Sequence, residues 1–520
     1  MRIEISVPRS GVRRWHRHLA ERLARNVDGA EVRLQAIDGG PPLDPAAESL
    51  LWLERMVLRR SRETLADRLT EIPAELRAPD GFAADVRVDC TGSAATDLRH
   101  PAARTLRPRY DGDCSERALV ATVLTRSLPQ IEIEEVEAGH VAAWGSPSGE
   151  AASGLTGGIE AVVSRVMVLV EQVLRSHPQA DGRTLLLPVL RPVSSSLGYA
   201  MRNLATNCAR SIFRLCLHSP HWRIGWRLHD GPGVMERMSL DGPRWQVLAD
   251  PGRRFFADPF PVTWAGRTVL FFEDLDHRVG KGVISALEFD SSGPVGEAVP
   301  VLEEPWHMSY PFLIEHDGAL FMVPESSLSG SVPIYRCIDF PRRWDRVGTL
   351  LDGVEAADCT VFKHGGLFWM MSATREGVGG YSDMLSIHYS KDLLGPWLEH
   401  ARRPALVDVA AARPAGAVVE RLGRLWRPVQ DCSRGYGRSL VLAEIDRLDP
   451  REFEQTIHRR IEPGPLWPGK HLHTLNRFGR LECIDGTTYN PKLALARGFA
   501  GRLSMPDGKN RCSELQQASC

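Results

Sequence analysis

The sequence lacks the motifs that mark the commonest nucleotide, redox and metal sites. Its first predicted strand is not followed by Gly-x-Gly-x-x-Gly, and the chain has no P-loop, no nucleophile elbow and no Cys-x-x-Cys pair. Its His, Cys and Asp residues do not cluster with the spacing of a zinc site. The sequence therefore predicts no metal centre and no evident cofactor.

An excess of charge and a long apolar run are missing as well. The 64 basic residues balance the 65 acidic ones, which gives no reason to expect nucleic acid or an anionic membrane as a partner. No apolar run reaches the length of a signal-peptide core or a transmembrane helix. With cysteines at irregular spacing, these absences predict a cytoplasmic protein with reduced thiols. The cytosolic face of a membrane stays open, because a glycolipid-modifying enzyme can sit there without a span.

The chain is too long, at 520 residues, for one compact core, and its character changes near residue 200. The first part alternates strand and helix signals, which predicts an α/β, Rossmann-like domain over residues 1–193. A linker helix is predicted over residues 194–220, followed by an all-β, five-bladed β-propeller over residues 221–500. A polar tail, residues 501–520, ends the chain.

Two helices of the first part carry clear signals. A long helix is predicted over Ser49–Leu69, and residues 155–175 repeat apolar residues at the spacing of an amphipathic helix. The glycine-rich turn at residues 154–158 has two interpretations. It holds an anion at the helix N-terminus, or it is a plain helix entry.

The second half repeats one phrase five times. Each copy has an apolar or aromatic strand, a short turn with Gly, and a second apolar strand that often carries an acid at its far end. The turns contain Gly266, Gly318, Gly366, Gly423 and Gly479, roughly 50 residues apart, which is the length of a four-stranded propeller blade. Five such blades in a ring would point the start of each innermost strand at a central channel. The residues placed around this axis are Asp258, Tyr310, Asp358, Arg413 and His473.

The same region resembles the propeller domain of glucosamine inositolphosphorylceramide transferases and their bacterial relatives. The phrases that carry the resemblance are Phe255-Phe256-Ala257-Asp258-Pro259-Phe260, Asp358-Cys359-Thr360 and Arg427-Pro428-Val429-Gln430-Asp431-Cys432. More distantly, residues 220–490 resemble five-bladed glycoside hydrolases of the arabinanase and β-xylosidase type. The N-terminal region is similar to a divergent formyltransferase-like domain.

The resemblance to the hydrolases implies catalytic roles, since glycosidic cleavage needs one protonated and one ionised carboxyl group. It implies that Asp258 is the general base and that Asp358 tunes the acid and helps to bind the sugar. At the level of the fourth blade, where the hydrolases place their acid, this sequence has Arg413. The available substitutes are Glu325 and Glu273. The analogy also allows a water-coordinated Ca²⁺ in the channel.

Further residues near the predicted channel are candidates for binding substrate. An Arg there favours a phosphate or carboxylate in the ligand, and aromatic rings pack on sugar faces. Each candidate also has a structural interpretation, in blade packing, in a loop or, for Arg427 and Asp431, as a buried pair. The candidates are Trp306, His307, Tyr310, Arg413, Arg427, Asp431 and His473.

The sequence thus predicts a carbohydrate-active enzyme that acts at an anomeric centre of a glycan, glycolipid or glycosylated metabolite. Hydrolysis and transfer both stay open, because they differ in water exclusion and acceptor binding. A second hypothesis is a non-catalytic recognition module for glycans or sugar phosphates that serves a partner transferase, which the missing blade-four carboxylate favours. A third is a propeller recruited for other chemistry on a small polar metabolite.

Overall fold

A computed structural model describes residues 1–57, 63–93, 102–150, 152–175, 184–189 and 195–492. The predicted tail, residues 501–520, lies outside the described residues. Two bodies are present: a mixed sheet with helices at the N-terminal end, and a five-bladed β-propeller after it. Within the described ranges, no helix combines the length and the apolar character needed to cross a bilayer.

The N-terminal sheet has six strands in the order β2-β1-β3-β4-β5-β6. The first four strands in this order run parallel and the last two pair antiparallel. A mixed sheet results, with its parallel half built around the buried apolar strand β1. The strands are β1 Arg2–Pro8, β2 Glu31–Ile37, β3 Val86–Asp89, β4 Arg104–Tyr110, β5 Ile131–Glu135 and β6 His140–Gly145.

Five longer helices accompany this sheet. They are α1 Arg14–Asn26, α2 Pro45–Val57, α3 Glu116–Leu124, α4 Gly154–Arg175 and α5 Ser196–Cys216. Shorter helical turns are Ala74–Leu76, Val234–Arg237 and Ser327–Ser329. The helix predicted over Ser49–Leu69 is wrong at its C-terminal end, because residues 63–69 form turns and extended chain. Residues 58–62 of this prediction lie outside the described residues.

Helix α4 is buried on all sides rather than on one. Every residue from Leu155 to Val173 is buried, because the helix is covered by α1, α2 and α3, by the sheet, and by the propeller. The helix N-terminus does meet an anion, and that anion belongs to the protein. The carboxylate of Glu54 accepts hydrogen bonds from the backbone N–H groups of Leu155 (2.8 Å) and Thr156 (2.9 Å).

The predicted five-bladed propeller is confirmed, with four strands in most blades. Blade 1 is β10 Arg254–Trp264, β11 Arg267–Asp276, β12 Lys281–Phe289 and β13 Pro294–Leu302; blade 2 is β14 Ser309–His316, β15 Ala319–Glu325, β16 Ser331–Asp339 and β17 Arg343–Asp352. Blade 3 is β18 Ala356–His364, β19 Leu367–Thr374, β20 Met384–Ser390 and β21 Leu398–Glu399, with β22 Leu406–Val407 also on β20. Blade 4 is β23 Val419–Arg421, β24 Arg424–Asp431, β25 Ser439–Leu448 and β26 Phe453–Ile461.

Blade 5 closes the ring with strands from both ends of the propeller sequence. Its inner strands are β27 Leu475–Phe478 and β28 Leu481–Thr487, and its outer strands are β8 Trp222–Leu228 and β9 Gln246–Val247. Strands β28 and β8 pair antiparallel along their whole length. A two-stranded extension, β7 Leu217–His218 with β29 Asn490–Pro491, lies beside the closure. This pairing fixes both ends of the propeller to each other and so fixes the ring geometry.

The repeated glycines of the sequence lie in the hairpin turns that join the two innermost strands of each blade. In four blades both central turn residues have positive φ; in blade 2, for example, Asp317 has φ 48° and Gly318 has φ 70°. Two positive φ angles define a turn whose twist matches paired strands. The second strand of each blade therefore returns to the same end of the ring as the start of the first.

Candidate active site

Three equivalent residues at the channel have a left-handed backbone. Asp258, Tyr310 and Asp358 have φ angles of 51°, 43° and 54°, a region that residues other than glycine rarely adopt. In each of these blades the pairing of the first two strands shifts at this point. Such a bulge turns a side chain away from the regular alternation of the strand. The three side chains are buried and interact with one another, as the repeat predicts.

Asp358 is held by the basic residue of the fourth blade. Arg413 donates from Nε to Asp358 Oδ2 (2.6 Å), and Gln430 donates from Nε2 to the same oxygen (2.9 Å). Arg413 also lies over the ring of Tyr436, 4.7 Å from its centre, and 3.9 Å from Glu325. All of Arg413 except 5% is buried. Its charge is therefore compensated within the protein rather than offered to a ligand.

Asp258 is fixed from the fifth blade. Thr474 Oγ1 donates to Asp258 Oδ1 (2.7 Å), and the backbone N–H of Asp258 donates to Asp485 Oδ2 (3.0 Å). Asp485 Oδ1 is bonded to His473 Nδ1 (2.7 Å), which leaves His473 Nε2 facing Asp258 at 3.9 Å. The His473 ring stacks on Trp222, with centroids 3.8 Å apart. The imidazole is locked in place beside the carboxylate.

Glu273 and Glu325 reach the same end of the ring from the second strands of blades 1 and 2. The backbone N–H of Gly282 donates to Nδ1 of His307 (2.9 Å), so the proton of a neutral His307 lies on Nε2. That nitrogen is 3.4 Å from Glu273 Oε1. Ser309 donates to Glu325 Oε2 (3.2 Å). His307 is thus placed to donate to Glu273.

Burial raises the pKa of three carboxyl groups at the axis. Burial raises the pKa of Asp258 to about 6, opposed by the charge of His473 and supported by Asp485 and Asp358. Burial raises the pKa of Asp358 to about 7 against the pull of Arg413. Burial and then the charges of Asp258 and Glu325 raise the pKa of Glu273 well above its usual range. A buried carboxyl group with a raised pKa beside a second carboxyl group is the kind of pair that acid–base chemistry uses.

The raised pKa of Asp258 gives a pH dependence of known sign. An unfolded Asp titrates near about 3.9, so the free energy of unfolding should fall as pH rises from about 4 to the folded pKa of about 6. Each pKa unit amounts to about 1.4 kcal/mol. Asp258→Asn cannot ionise and should lose about 2–3 kcal/mol less than the wild type over this window. Urea unfolding at closely spaced pH values measures the difference, and parallel curves for the two chains would contradict it.

Other predicted site residues lie away from this cluster. Trp306 packs half-buried between blades 1 and 2. Arg427 is buried and donates to the backbone carbonyl of Ala412, while Asp431 pairs with Arg460 (2.8 Å). These contacts are those of blade packing. Arg427 and Asp431 bond to different partners, so they do not form the buried pair that the sequence also suggested.

Gln430 and Asp485 belong to the cluster but are not among the site residues predicted from the sequence. The signal for Gln430 was present, because Glu273, Glu325 and Gln430 each stand seven residues after the turn glycine of their blade. Successive strand residues face opposite sides, so Gln430 faces the axis and Asp431 does not. Asp485 is the acid near the end of the fifth copy's second strand, where the repeat also places its acids.

The N-terminal body docks on this same end of the propeller. Asp383, between the second and third strands of blade 3, accepts from Arg165 of α4 (2.8 and 2.9 Å) and from the backbone of Ser148 (2.7 Å). Ser382 donates to Glu150, which lies close enough to Arg413 to raise its pKa. The first domain therefore supplies a carboxylate at the edge of the buried cluster.

A groove runs between the two bodies beside this edge. It has a volume of about 680 Å³ and polar walls. Its first-domain wall includes Gly149 and Arg126, its α5 wall includes Tyr199 and Asn203, and its propeller wall includes Ser433. Ser433 follows Cys432, which lies next to the axial residues. The propeller wall of the groove at Ser433 is therefore three residues along the chain from Gln430 of the cluster.

One cluster of donors near the axis has the spacing of a cation site. Within the described ranges, Asp258, His473 and Asp485 form the one group of three such ligands whose donor atoms lie within 4.8 Å of one another. Both oxygens of Asp485 already accept N–H hydrogen bonds, and Ca²⁺ takes about six to eight oxygen ligands. The set does not fit direct coordination of Ca²⁺, and the reaction proposed below uses none.

The propeller sequence is similar to plant transferases. Residues 248–477 match the family described as "Glucosamine inositolphosphorylceramide transferase 1, N-terminal". The chain is 31% identical over 282 residues to glucosamine inositolphosphorylceramide transferase 1 of Oryza sativa subsp. indica, covering 49% of this chain and 38% of that protein. It is 31% identical over 205 residues to the transferase of the same name from Arabidopsis thaliana, covering 39% and 27%.

Solved structures with some likeness include two β-xylosidases. The RS223 β-xylosidase gives a TM-score of 0.32 at 14% identity, covering 46% of this chain and 95% of that chain. CoXyl43, a β-xylosidase/α-arabinofuranosidase from a compost metagenome, gives 0.32 at 15% identity, covering 45% and 90%. The sequence similarity lies in the propeller, and the chain spans less than two fifths of the length of the plant relatives that it matches.

Proposed function

We propose that this protein is a carbohydrate-active enzyme that works at the anomeric centre of a sugar bound at the propeller axis. One arrangement carries the proposal: two buried carboxyl groups lie at the same end of the propeller axis, Asp258 held by Thr474 Oγ1 (2.7 Å) and Glu273 facing His307 Nε2 (3.4 Å). Cleavage or transfer of a glycosidic bond needs such a pair. The similarity of residues 248–477 to a transferase family supports the same class of chemistry.

Each channel residue has a role in this proposal. Glu273 gives its proton to the leaving oxygen, and the Nε2–H of His307 stabilises the carboxylate that remains. Asp258 acts as the base that removes a proton from the incoming acceptor hydroxyl or water. Arg413 and Gln430 hold Asp358, so that its oxygens accept from sugar hydroxyls. Transfer and hydrolysis differ only in which hydroxyl Asp258 activates.

The charges of the cluster favour a sugar with hydroxyl or amino groups. The preference for an anionic ligand was predicted from Arg413. Because Asp358 already neutralises Arg413, this residue no longer supports that preference. The acids around the axis outnumber the bases, and an ammonium group would pair with them. The names of the plant relatives include glucosamine, which agrees with an amino sugar as the ligand proposed here.

A recognition module is the second candidate. At the blade-four position, where the hydrolases have their acid, this protein has Arg413, which donates hydrogen bonds to Asp358 and Tyr436. An arginine at this position helps to bind a sugar but does not supply a second acid. For the first domain we propose a supporting role as one wall of the site, through Glu150. The likeness of this domain to a formyltransferase stays a prediction.

A matched ligand panel tests the proposal. Pairs that differ in one group, such as glucosamine with glucose and each sugar with its phosphate or nucleotide ester, are offered to the full chain. We expect the amino member to bind more tightly at neutral pH, a product to form from an activated sugar, and a crystal structure to place the ring beside Asp258 and Glu273. Binding without any product would favour the recognition module. Binding elsewhere, or none across the panel, would overturn both candidates.

A further inference from the structure

Helix α5 is almost uncovered by the part of the chain that the structure describes. It has 21 residues, and Tyr199 is its one buried side chain. A helix in a folded protein gains most of its stability by packing an apolar face. Here the side facing the protein is polar, because Tyr199, Asn203 and Thr206 line the interdomain groove.

The apolar face of α5 points to solvent. Its large side chains recur at helical spacing on the side opposite the groove, and their exposed fractions run from 59% to 74%. They are Leu197, Met201, Leu204, Ile212 and Leu215. A continuous apolar stripe of this length is unusual on a protein surface and marks a contact with something else.

The neighbouring helix α2 adds to this surface. It packs against α5 and exposes Trp52, Leu53 and Met56 by 47% to 63%. The acids of α2 turn inward, since Glu48 pairs with Arg13 (2.7 Å) and Glu54 caps α4. An exposed Trp beside an apolar stripe is typical of the membrane interface. We call the exposed side chains of α2 and α5 together the α2–α5 surface.

The charges of α5 identify the kind of surface that covers it. The helix carries Arg202, Arg210 and Arg214 and has no Asp or Glu. Apolar residues on one face, with only basic charges on the other, are the pattern of helices that lie flat on anionic lipid. The net charge of −1 for the whole chain conceals this local excess, which is why the composition gave no such signal.

We propose that the α2–α5 surface lies in the headgroup region of an anionic lipid bilayer. The stripe would be buried among the upper acyl chains, and Arg202 and Arg214 would contact the lipid phosphates, whereas Arg210 lines the groove. The opposite side of α5 lines the interdomain groove, so the groove opens beside the lipid headgroups. This proposal does not depend on the proposed function.

Vesicle flotation of the full chain tests the proposal without any enzyme assay. The chain should float with vesicles of phosphatidylcholine and phosphatidylserine, float poorly with phosphatidylcholine alone, and bind less as salt rises. Leu204→Glu should weaken binding by about tenfold or more. The matched control is Leu422→Glu, because Leu422 is 90% exposed on a blade turn. Circular dichroism and thermal melts establish that both variants fold.

Three outcomes would overturn the proposal. The wild-type chain does not float with anionic vesicles, or Leu422→Glu weakens flotation as much as Leu204→Glu. Alternatively, the chain is a dimer without vesicles and Leu204→Glu makes it a monomer, which would assign the stripe to a second copy. Loss of sugar turnover with vesicle binding intact would contradict the proposed function alone, so the two failures are distinguishable.

Discussion

The Asp258→Asn chain should fold, bind its sugar and lose turnover by about a hundredfold to ten-thousandfold. The substitution keeps the shape of the side chain and removes the group that accepts a proton. The backbone tolerates it, since Asn is among the residues that adopt positive φ with least strain, and φ at this position is 51°. Thr474 can still donate to the amide oxygen, so the local contacts are retained. The kinetic constant kcat/KM on the best sugar from the panel is the measurement.

The control for this prediction is Asp317→Asn. Asp317 has φ 48° and an exposed side chain in a blade turn, so the same chemical change is made at the same backbone conformation outside the channel. We expect no change in kcat/KM. Asp358→Asn should also abolish turnover, and it should destabilise the fold in addition, because Arg413 would stay buried without its partner. Activity near the wild-type value in both channel variants would exclude the glycosidase-like mechanism.

The ring and its axis could be predicted from the sequence because propeller blades are local units. In every blade the two innermost strands and their turn form one stretch of chain, so the turn glycines, and in blades 1, 2 and 4 the polar residue seven positions later, mark the same places in space. The repeat located Asp258, Tyr310 and Asp358 at the axis without any long-range information. Asp431 was chosen instead of Gln430 because an acid was expected, although strand alternation selects the amide.

Contacts between the two bodies could not be predicted, because no local pattern encodes them. The apolar spacing of α4 suggests one buried face, yet docking of the propeller buries the other face as well. The helix predicted over Ser49–Leu69 is too long at its C-terminal end, because the apolar and charged residues at 63–69 continue a helical pattern that the structure does not follow. The apolar stripe of α5 is visible in the sequence, but only the structure shows that nothing among the described residues covers it.

Replacing Arg165 with Met should cost about 3–5 kcal/mol of stability. Arg165 and Asp383 are buried to 1% and 2% exposure and join the two bodies through a bidentate pair. Met fills a similar volume but leaves Asp383 buried with the Ser148 N–H and no cation. Chemical unfolding measures the loss. The double variant Arg165→Met, Asp383→Leu should recover much of it, since an apolar pair avoids the unpaired charge.

Stability and turnover, measured together, distinguish a structural role of the Arg165–Asp383 pair from a catalytic role of Arg165. Arg267 and Glu288 have the same bidentate geometry on the surface, so Arg267→Met is the control and should leave the unfolding midpoint unchanged. If docking of the first domain completes the site, Arg165→Met should also lower sugar turnover, because Glu150 moves away from the cluster with that domain. The double variant should then restore turnover together with stability. A double variant that is stable yet inactive would assign Arg165 a role beyond docking, and single-variant stability equal to wild type would show that the two bodies are not held by this pair.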